Sequence, residues 1–291
     1  MEPLAPAPLP TSEQQSRRPH GLGTLLYVPV LYGLGWLTAR PLQWLAPGLR
    51  PDQLDLAGLV VALLLLLFSL PWRLRRSWGA THPWRRLGVV ATPLVAIRTF
   101  LGGLAKAALL LALVAAVLLA TGQAAWQLDL KASELLNALA LLLGVGFAEE
   151  LLFRGWLWGE LGLQLSRRRA LLLQASLFAL VHPWYRAGNP GAIGLLGGLI
   201  LLGLALALQR RSDSGVLWGA IGLHGGLVGG WFVLQTGLLQ LAPDAPAWLV
   251  GPGGEVPNPI GGVIGWLGLA LVLLLCRPVW SAPQRNTIDC P

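Results

Sequence analysis

Eight apolar runs, separated by short polar segments, constrain the fold of this chain more than any other feature of its 291 residues. A helix needs roughly 20 apolar residues to cross the hydrocarbon core of a bilayer. Backbone groups in lipid must be hydrogen-bonded within the segment, so such runs predict helices. The predicted helices cover residues 22–38, 54–71, 103–121, 135–158, 170–185, 191–209, 215–236 and 260–277. The sequence therefore predicts an all-α, polytopic membrane protein with eight transmembrane helices.

Composition supports this class of protein. Charged residues make up 12% of the chain, against about 25% in soluble domains. The chain contains 14 tryptophans, a residue that is enriched at membrane interfaces. The basic residues lie between apolar runs rather than on a folded basic surface, so we expect a lipid bilayer and no nucleic acid as partner. Cys276 and Cys290 have no disulfide-framework or metal-binding spacing.

The positions of the basic residues predict the orientation. If the N-terminus is cytoplasmic, most of the 21 lysines and arginines fall on the cytoplasmic side, as the positive-inside rule requires. Both termini are then cytoplasmic. The predicted organisation is a disordered tail over 1–20, N-terminal membrane helices over 21–134 with a basic cytoplasmic loop at 72–102, a core over 135–236, an external Pro/Gly-rich loop over 237–259, and a final helix and tail over 260–291.

Few ionisable residues lie inside the predicted helices, and each needs a reason because a charge at the bilayer centre costs about 2.5–3.5 kcal/mol. The fourth predicted helix contains Glu149, Glu150 and Arg154. Glu150 and Arg154 are four residues apart and are expected to form an ion pair. Adjacent helical residues point about 100° apart, so the two carboxylates cannot share one partner geometry. Glu149 is left without a cation.

Two histidines complete the set of intramembrane candidates. His182 lies in the fifth predicted helix and His224 in the seventh, at depths similar to that of Glu149. One glutamate and two histidines could activate a water and stabilise an oxyanion, or bind a divalent metal such as zinc. A structural role as a helix–helix hydrogen bond stays open for either histidine. The zinc-protease motif H-E-x-x-H is absent from the sequence.

Three short motifs resemble those of a known family. Residues 149–154 read E-E-x-x-x-R, Phe178 and His182 form F-x-x-x-H, and His224 begins the third motif, which is H-x-x-x-N in the family. In this order and on separate predicted helices, they resemble the CPBP family of intramembrane endopeptidases. That family includes the type II CaaX prenyl proteases and the bacteriocin-processing or immunity (Abi) proteins. The resemblance covers about residues 135–236.

The resemblance implies a CaaX-protease-like helical bundle. It also implies hydrolysis of a peptide bond in a membrane-associated or lipidated substrate by a glutamate-activated water. In that scheme Glu149 is the general base, His182 positions the water and His224 stabilises the oxyanion. The residues implied to support them are Glu150, Arg154 and Phe178. No cofactor is expected; zinc held by Glu149, His182 and His224 is the alternative.

One residue departs from the family pattern, because Val228 stands where the family has asparagine. Loss of one oxyanion donor lowers a rate by about 10²–10³. Gln174, Asn137 or a backbone N–H of the seventh helix are candidate replacements. The departure motivates an alternative function as a non-catalytic membrane scaffold or protective factor. A proton-coupled transporter is a third hypothesis, against which the lack of an inverted repeat speaks.

Overall fold

The computed structural model describes residues 19, 21–188, 191–252 and 257–275. Most of them are helical, which confirms the all-α prediction. The main helices are α1 (Gly21–Ala39), α2 (Pro51–Trp78), α3 (Pro93–Ala120), α4 (Ala132–Gly162), α5 (Arg167–Val181), α6 (Gly191–Ser212), α7 (Trp218–Val233) and α8 (Val263–Leu275). Shorter helical turns cover Leu42–Leu45, Pro83–Arg86, Trp184–Ala187, Ala247–Val250 and Pro259–Gly261.

Five helices among the described residues are long and apolar enough to cross a membrane. They are α1 with the turn that follows it, α2, α3, α4 and α6. These helices indicate a multi-pass membrane protein. Helices α5 and α8 have 15 and 13 residues, and α7 has 16 before a π-helical turn at Leu234–Leu238. The count of eight and the cytoplasmic location of both termini stay predictions.

The chain forms two compact units, and the first contains the residues up to Arg86 together with Glu160–Leu165. In this unit α1 packs against α2. The carboxylate of Glu160, which is fully buried, accepts hydrogen bonds from Arg73, from Trp78 Nε1 at 2.9 Å and from Thr24 Oγ1 at 3.1 Å. A buried carboxylate with several donors is stabilised in place, so this cluster ties the three segments of the unit together.

The second unit contains Leu87–Gly159 and the residues from Ser166 onwards. Within it, α7 packs on α3 and on α4. A Cβ added at Gly222 would collide with the carbonyl of Phe100 in α3, and one at Gly225 would collide with the carbonyl of Leu142 in α4. Glycines on two faces of α7 therefore let three backbones approach closely. This packing fixes the position of α7, the helix that carries His224.

The same unit contains the one pair of strands in the described residues, which the sequence did not predict. β1 (Ala124–Trp126) pairs antiparallel with β2 (Leu239–Leu241), and Ala124 lies opposite Leu241. Each strand has only three residues, too few for a period-2 pattern to stand out in a sequence. The pair joins the end of α3 to the start of the Pro/Gly-rich loop predicted over 237–259.

Three predicted boundaries differ from the structure. The basic loop predicted over 72–102 is shorter, because α2 continues to Trp78 and α3 begins at Pro93. Arginine and lysine are good helix formers, and proline is favoured at the first helical position. The division between compact units falls after Arg86 rather than at residue 134, so α3 groups with the predicted core. The predicted tail over 1–20 lies outside the described residues except for Pro19.

Candidate active site

Helix α4 presents its two glutamates from an irregular stretch. Glu149 and Glu150 end a five-residue α-helical segment, Gly146–Glu150. This segment lies between two π-helical segments, Leu141–Val145 and Leu151–Leu157. A π-helical turn is wider than an α-helical one and changes the direction of the side chains that follow it; such turns are frequent at functional sites. Nothing in the apolar pattern of the sequence indicated these two segments.

The structure brings Glu149, His182 and His224 together. Glu149 Oε2 lies 3.5 Å from His182 Nε2 and 3.8 Å from His224 Nε2. The side chains of Glu149 and His182 are 29% and 25% exposed, whereas that of His224 is 3% exposed. The Glu149 side chain is therefore partly exposed, whereas Oε2, the oxygen on which the two imidazoles converge, is buried and accepts no hydrogen bond from the described residues.

His182 is not in a helix, contrary to the prediction that the fifth helix covers 170–185. Helix α5 ends at Val181, and His182 has an extended backbone with φ −80° and ψ 151°. The next residue is Pro183, whose ring disfavours the helical conformation of the residue before it. The His-Pro dipeptide was the sequence signal for this helix end. His182 Nδ1 donates to the Phe178 carbonyl at 2.6 Å, which fixes the imidazole with Nε2 towards Glu149.

Glu150 and Arg154 form the predicted ion pair, with Arg154 Nη1 donating to Glu150 Oε1 at 2.7 Å. Both side chains are fully buried. The same carboxylate oxygen accepts a hydrogen bond of 2.8 Å from His224 Nδ1. His224 thus contacts Glu150 through Nδ1 and Glu149 through Nε2. The two carboxylates therefore contact one histidine of another helix in two different geometries, through opposite sides of its ring.

The ring of Phe178 packs against the charged and polar side chains of the site. It is fully buried, and its ring centroid lies 4.6 Å from that of His182 and 5.7 Å from that of His224. The guanidinium carbon of Arg154 lies 4.2 Å from the centre of the same ring. One aromatic side chain therefore contacts both imidazoles and the buried cation, a geometry that favours the charged guanidinium.

Neither side chain suggested as a replacement for the family asparagine serves the site directly. Gln174 is buried and donates to the Gly203 carbonyl at 3.3 Å, and Asn137 is exposed. Arg154 Nη2 donates to the same Gly203 carbonyl at 3.3 Å. Sequence reasoning missed Gly203, and no signal marks it, because its contribution is a backbone oxygen. Val228 is half-buried one helical turn after His224.

Zinc held by Glu149, His182 and His224 is the alternative to a site without a metal. Carboxylate oxygen and imidazole nitrogen are suitable ligands for zinc. Among the residues that the structure describes, however, no group of three or more His, Cys, Asp or Glu side chains is arranged to hold a metal ion. The two Nδ1 atoms donate to Phe178 and Glu150, which leaves both Nε2 atoms facing Glu149. The expectation that the site needs no metal stays a prediction.

Comparison with known proteins identifies the segment that carries the site. Residues 131–230 match a family model described as Type II CAAX prenyl endopeptidase Rce1-like. Residues 10–82 match a domain of unknown function, DUF8676. No curated protein and no solved structure matches the chain. The first match includes Glu149, His182 and His224 and supports peptidase activity at the family level, acting on a peptide or protein at the membrane. The segment that carries the site is therefore similar to the Rce1-like type II CAAX prenyl endopeptidase family.

Proposed function

We propose that this protein is an intramembrane endopeptidase in which Glu149 activates the attacking water. The observation that carries the proposal is the approach of Glu149 Oε2 to both imidazole Nε2 atoms, at 3.5 and 3.8 Å. A general base must lie within hydrogen-bond reach, directly or through one water, of the proton that it removes. The family match supports hydrolysis of a peptide bond in a membrane-associated substrate.

The hydrogen bonds of the two histidines determine which of their atoms can accept a proton. His182 Nδ1 donates to a carbonyl and His224 Nδ1 donates to a carboxylate. In each neutral imidazole Nε2 is then the acceptor. A water that donates one O–H to Glu149 and the other to His182 Nε2 satisfies both acceptors. This arrangement supports Glu149 as the base and His182 as the residue that orients the water.

In the proposed hydrolysis, the proton that Glu149 takes from the water is later given to the leaving amine. Glu149 removes one proton from the water, and the hydroxide oxygen bonds to the scissile carbonyl carbon. The carbonyl oxygen becomes an oxyanion, which collapses as the C–N bond breaks and the leaving amine takes the proton from Glu149. His224 can donate from Nε2 only as an imidazolium, since its Nδ1–H is held by Glu150. In that form its Nε2–H is a donor to the oxyanion, and such a donor lowers the barrier.

The first test compares new peptide ends in membranes from cells that express the wild type or Glu149→Gln at equal abundance. Asp129→Asn is the matched control, because it removes a carboxylate that is 66% exposed. We expect peptide ends that disappear in Glu149→Gln and persist in Asp129→Asn. Indistinguishable peptide profiles for folded wild type and Glu149→Gln would contradict the proposal.

The substrate class is tested with the purified chain and two synthetic peptides. One peptide ends in a farnesylated Cys-a-a-X sequence and the other has the same sequence without the farnesyl group. The family description leads us to expect faster cleavage of the farnesylated peptide. Equal cleavage of both peptides would support the proposed peptidase activity and contradict a preference for prenylated substrates.

One observation favours a second function, that of a non-catalytic scaffold or protective factor. Val228 stands where the family has asparagine, and neither Gln174 nor Asn137 replaces that asparagine at the site. A scaffold or protective factor that keeps the fold needs no oxyanion donor. It predicts full cellular function for Glu149→Gln. It also predicts loss of folded protein for Arg154→Ala, because that substitution leaves the buried Glu150 unpaired.

A further inference from the structure

Helix α6 supplies no side chain to the proposed catalytic set, yet it holds Arg154 at two points. The Gly203 carbonyl accepts a hydrogen bond of 3.3 Å from the Arg154 guanidinium. At the end of α6, Arg210 Nη1 donates to the backbone carbonyl of Arg154. One helix therefore fixes both the side chain and the main chain of the residue that pairs with Glu150.

The guanidinium of Arg210 binds backbone oxygens from three separate segments. Besides the carbonyl of Arg154 in α4, it donates to Leu87 O at 3.0 Å, in the segment before α3, and to Gly215 O at 3.1 Å, after α6. A helix-terminal arginine commonly binds the last carbonyls of its own helix. Here the planar fork of donors instead joins α4 to two loops, which a lysine cannot reproduce with one ammonium group.

The carbonyl that Arg210 binds belongs to the π-helical segment Leu151–Leu157. From that point the contacts continue without a break: Arg154 Nη1 to Glu150 at 2.7 Å, and Glu150 to His224 Nδ1 at 2.8 Å. Glu150, Arg154 and His224 are all buried, so water cannot readily replace a lost partner. A displacement of the Arg154 backbone is therefore transmitted to the His224 imidazole.

We propose that Arg210 is a positioning residue for the Glu149 site and acts through the backbone of Arg154. It holds the wide turn of α4 in the register at which Arg154 pairs with Glu150 and Glu150 orients His224. The catalytic part of this inference rests on the proposed function. The orientation of His224 is a structural property that can be measured without any activity.

Two variants and two controls test the proposal in the full-length protein. Arg210→Gln removes the fork, and Arg210→Lys keeps the charge with a single donor group. Arg168→Gln is the charge control, because Arg168 is exposed at the start of α5. Leu269→Ala in α8 is the stability control, because Leu269 is 3% exposed and its truncation destabilises the same unit away from Arg210.

The first readout is the cleavage of the farnesylated peptide. A misplacement of about 1 Å in a catalytic constellation can lower a rate about 100-fold. We expect Arg210→Gln to lower kcat by about 10- to 100-fold with little change in KM, and Arg210→Lys to lie between it and the wild type. Leu269→Ala, at an equal loss of thermal stability, should keep the wild-type kcat of its folded fraction.

The second readout is the ¹⁵N spectrum of histidine-labelled protein in lipid nanodiscs, with the His224 signal assigned from its loss in His224→Gln. We expect Arg210→Gln to shift the His224 signal, and neither Arg168→Gln nor Leu269→Ala to do so. An unchanged His224 signal in Arg210→Gln overturns the proposal, as does failure of both Arg210 variants to fold. If Glu149→Gln still cleaves the peptide, the proposed function fails. The ¹⁵N signal of His224 then still shows whether Arg210 positions that imidazole.

Discussion

His224 Nδ1 lies 2.8 Å from Glu150 Oε1, while Nε2 of the same ring lies 3.8 Å from Glu149 Oε2. One imidazole on α7 thus connects two adjacent carboxylates on α4 that point in different directions. Glu150 is in turn paired with the buried Arg154. The site is therefore a continuous chain of contacts from a buried cation to a partly exposed carboxylate, and each link gives a separate test.

Removal of one member of the buried ion pair should destabilise the protein more than removal of both. Arg154→Met leaves Glu150 buried without its cation, and breaking a buried pair in this way costs about 3–5 kcal/mol. In the double variant Arg154→Met/Glu150→Gln no unpaired charge remains, and we expect most of the lost stability to return. Thermal unfolding in detergent measures both. Equal losses for the single and double variants would mean that Arg154→Met leaves no unpaired charge behind, and would contradict this prediction.

The Phe178 ring should matter for both stability and catalysis. Phe178→Ala removes a fully buried ring, a change that costs about 3–5 kcal/mol. It also frees His182 and His224 from the surface on which they lie. We expect a lower melting temperature and a lower kcat of the remaining folded protein, with a smaller effect on both for Phe178→Leu. A wild-type kcat for folded Phe178→Ala would show that the ring does not orient the imidazoles.

Restoring the family asparagine should increase activity. Residue 228 follows His224 by one helical turn, so a side chain there lies on the same face of α7. Val228→Asn adds a donor, and one oxyanion donor contributes about 10²–10³ in kcat in known enzymes. We expect a gain of at least about tenfold in kcat on the farnesylated peptide. Val228→Ala, which changes the size without adding a donor, is the control and should show no gain.

Pro183 should control the placement of His182. The proline keeps His182 extended, so Pro183→Ala allows α5 to continue and turns the imidazole away from Glu149. We expect a lower kcat with little change in thermal stability. Pro246→Ala is the control for loss of a loop proline in the same unit and should leave kcat unchanged. Full activity of Pro183→Ala would show that the bond from His182 Nδ1 to the Phe178 carbonyl is sufficient to hold the ring.

Removal of metal ions should not affect cleavage. The described residues contain no assembled group of three metal ligands, and the proposed mechanism uses none, so we expect unchanged kcat after treatment with a chelator and passage through a desalting column. Activity that is lost on chelation and restored by zinc alone would assign these three residues to the metal site that their chemistry also permits.

The sequence alone determined the class of the protein and the identity of its candidate residues. Long apolar runs allow only helices in a bilayer, and the cost of charge in lipid singled out Glu149, Glu150, Arg154, His182 and His224. The i,i+4 spacing also predicted the ion pair of Glu150 and Arg154, because helical geometry is local. The signal for the end of α5 at Val181, Pro183, was equally local, although the predicted helix ran on to residue 185.

Only the tertiary structure decided how these residues meet. The two π-helical segments of α4 are stabilised by contacts between segments distant in sequence, and apolar periodicity carries no trace of them. The double contact of His224 depends on the close approach of α7 to α4 at Gly225. The carbonyls of Gly203 and Arg154 act as partners through backbone atoms that every residue has. Interactions of this kind depend on packing, so a residue pattern can name the chemistry of a site but cannot place its parts.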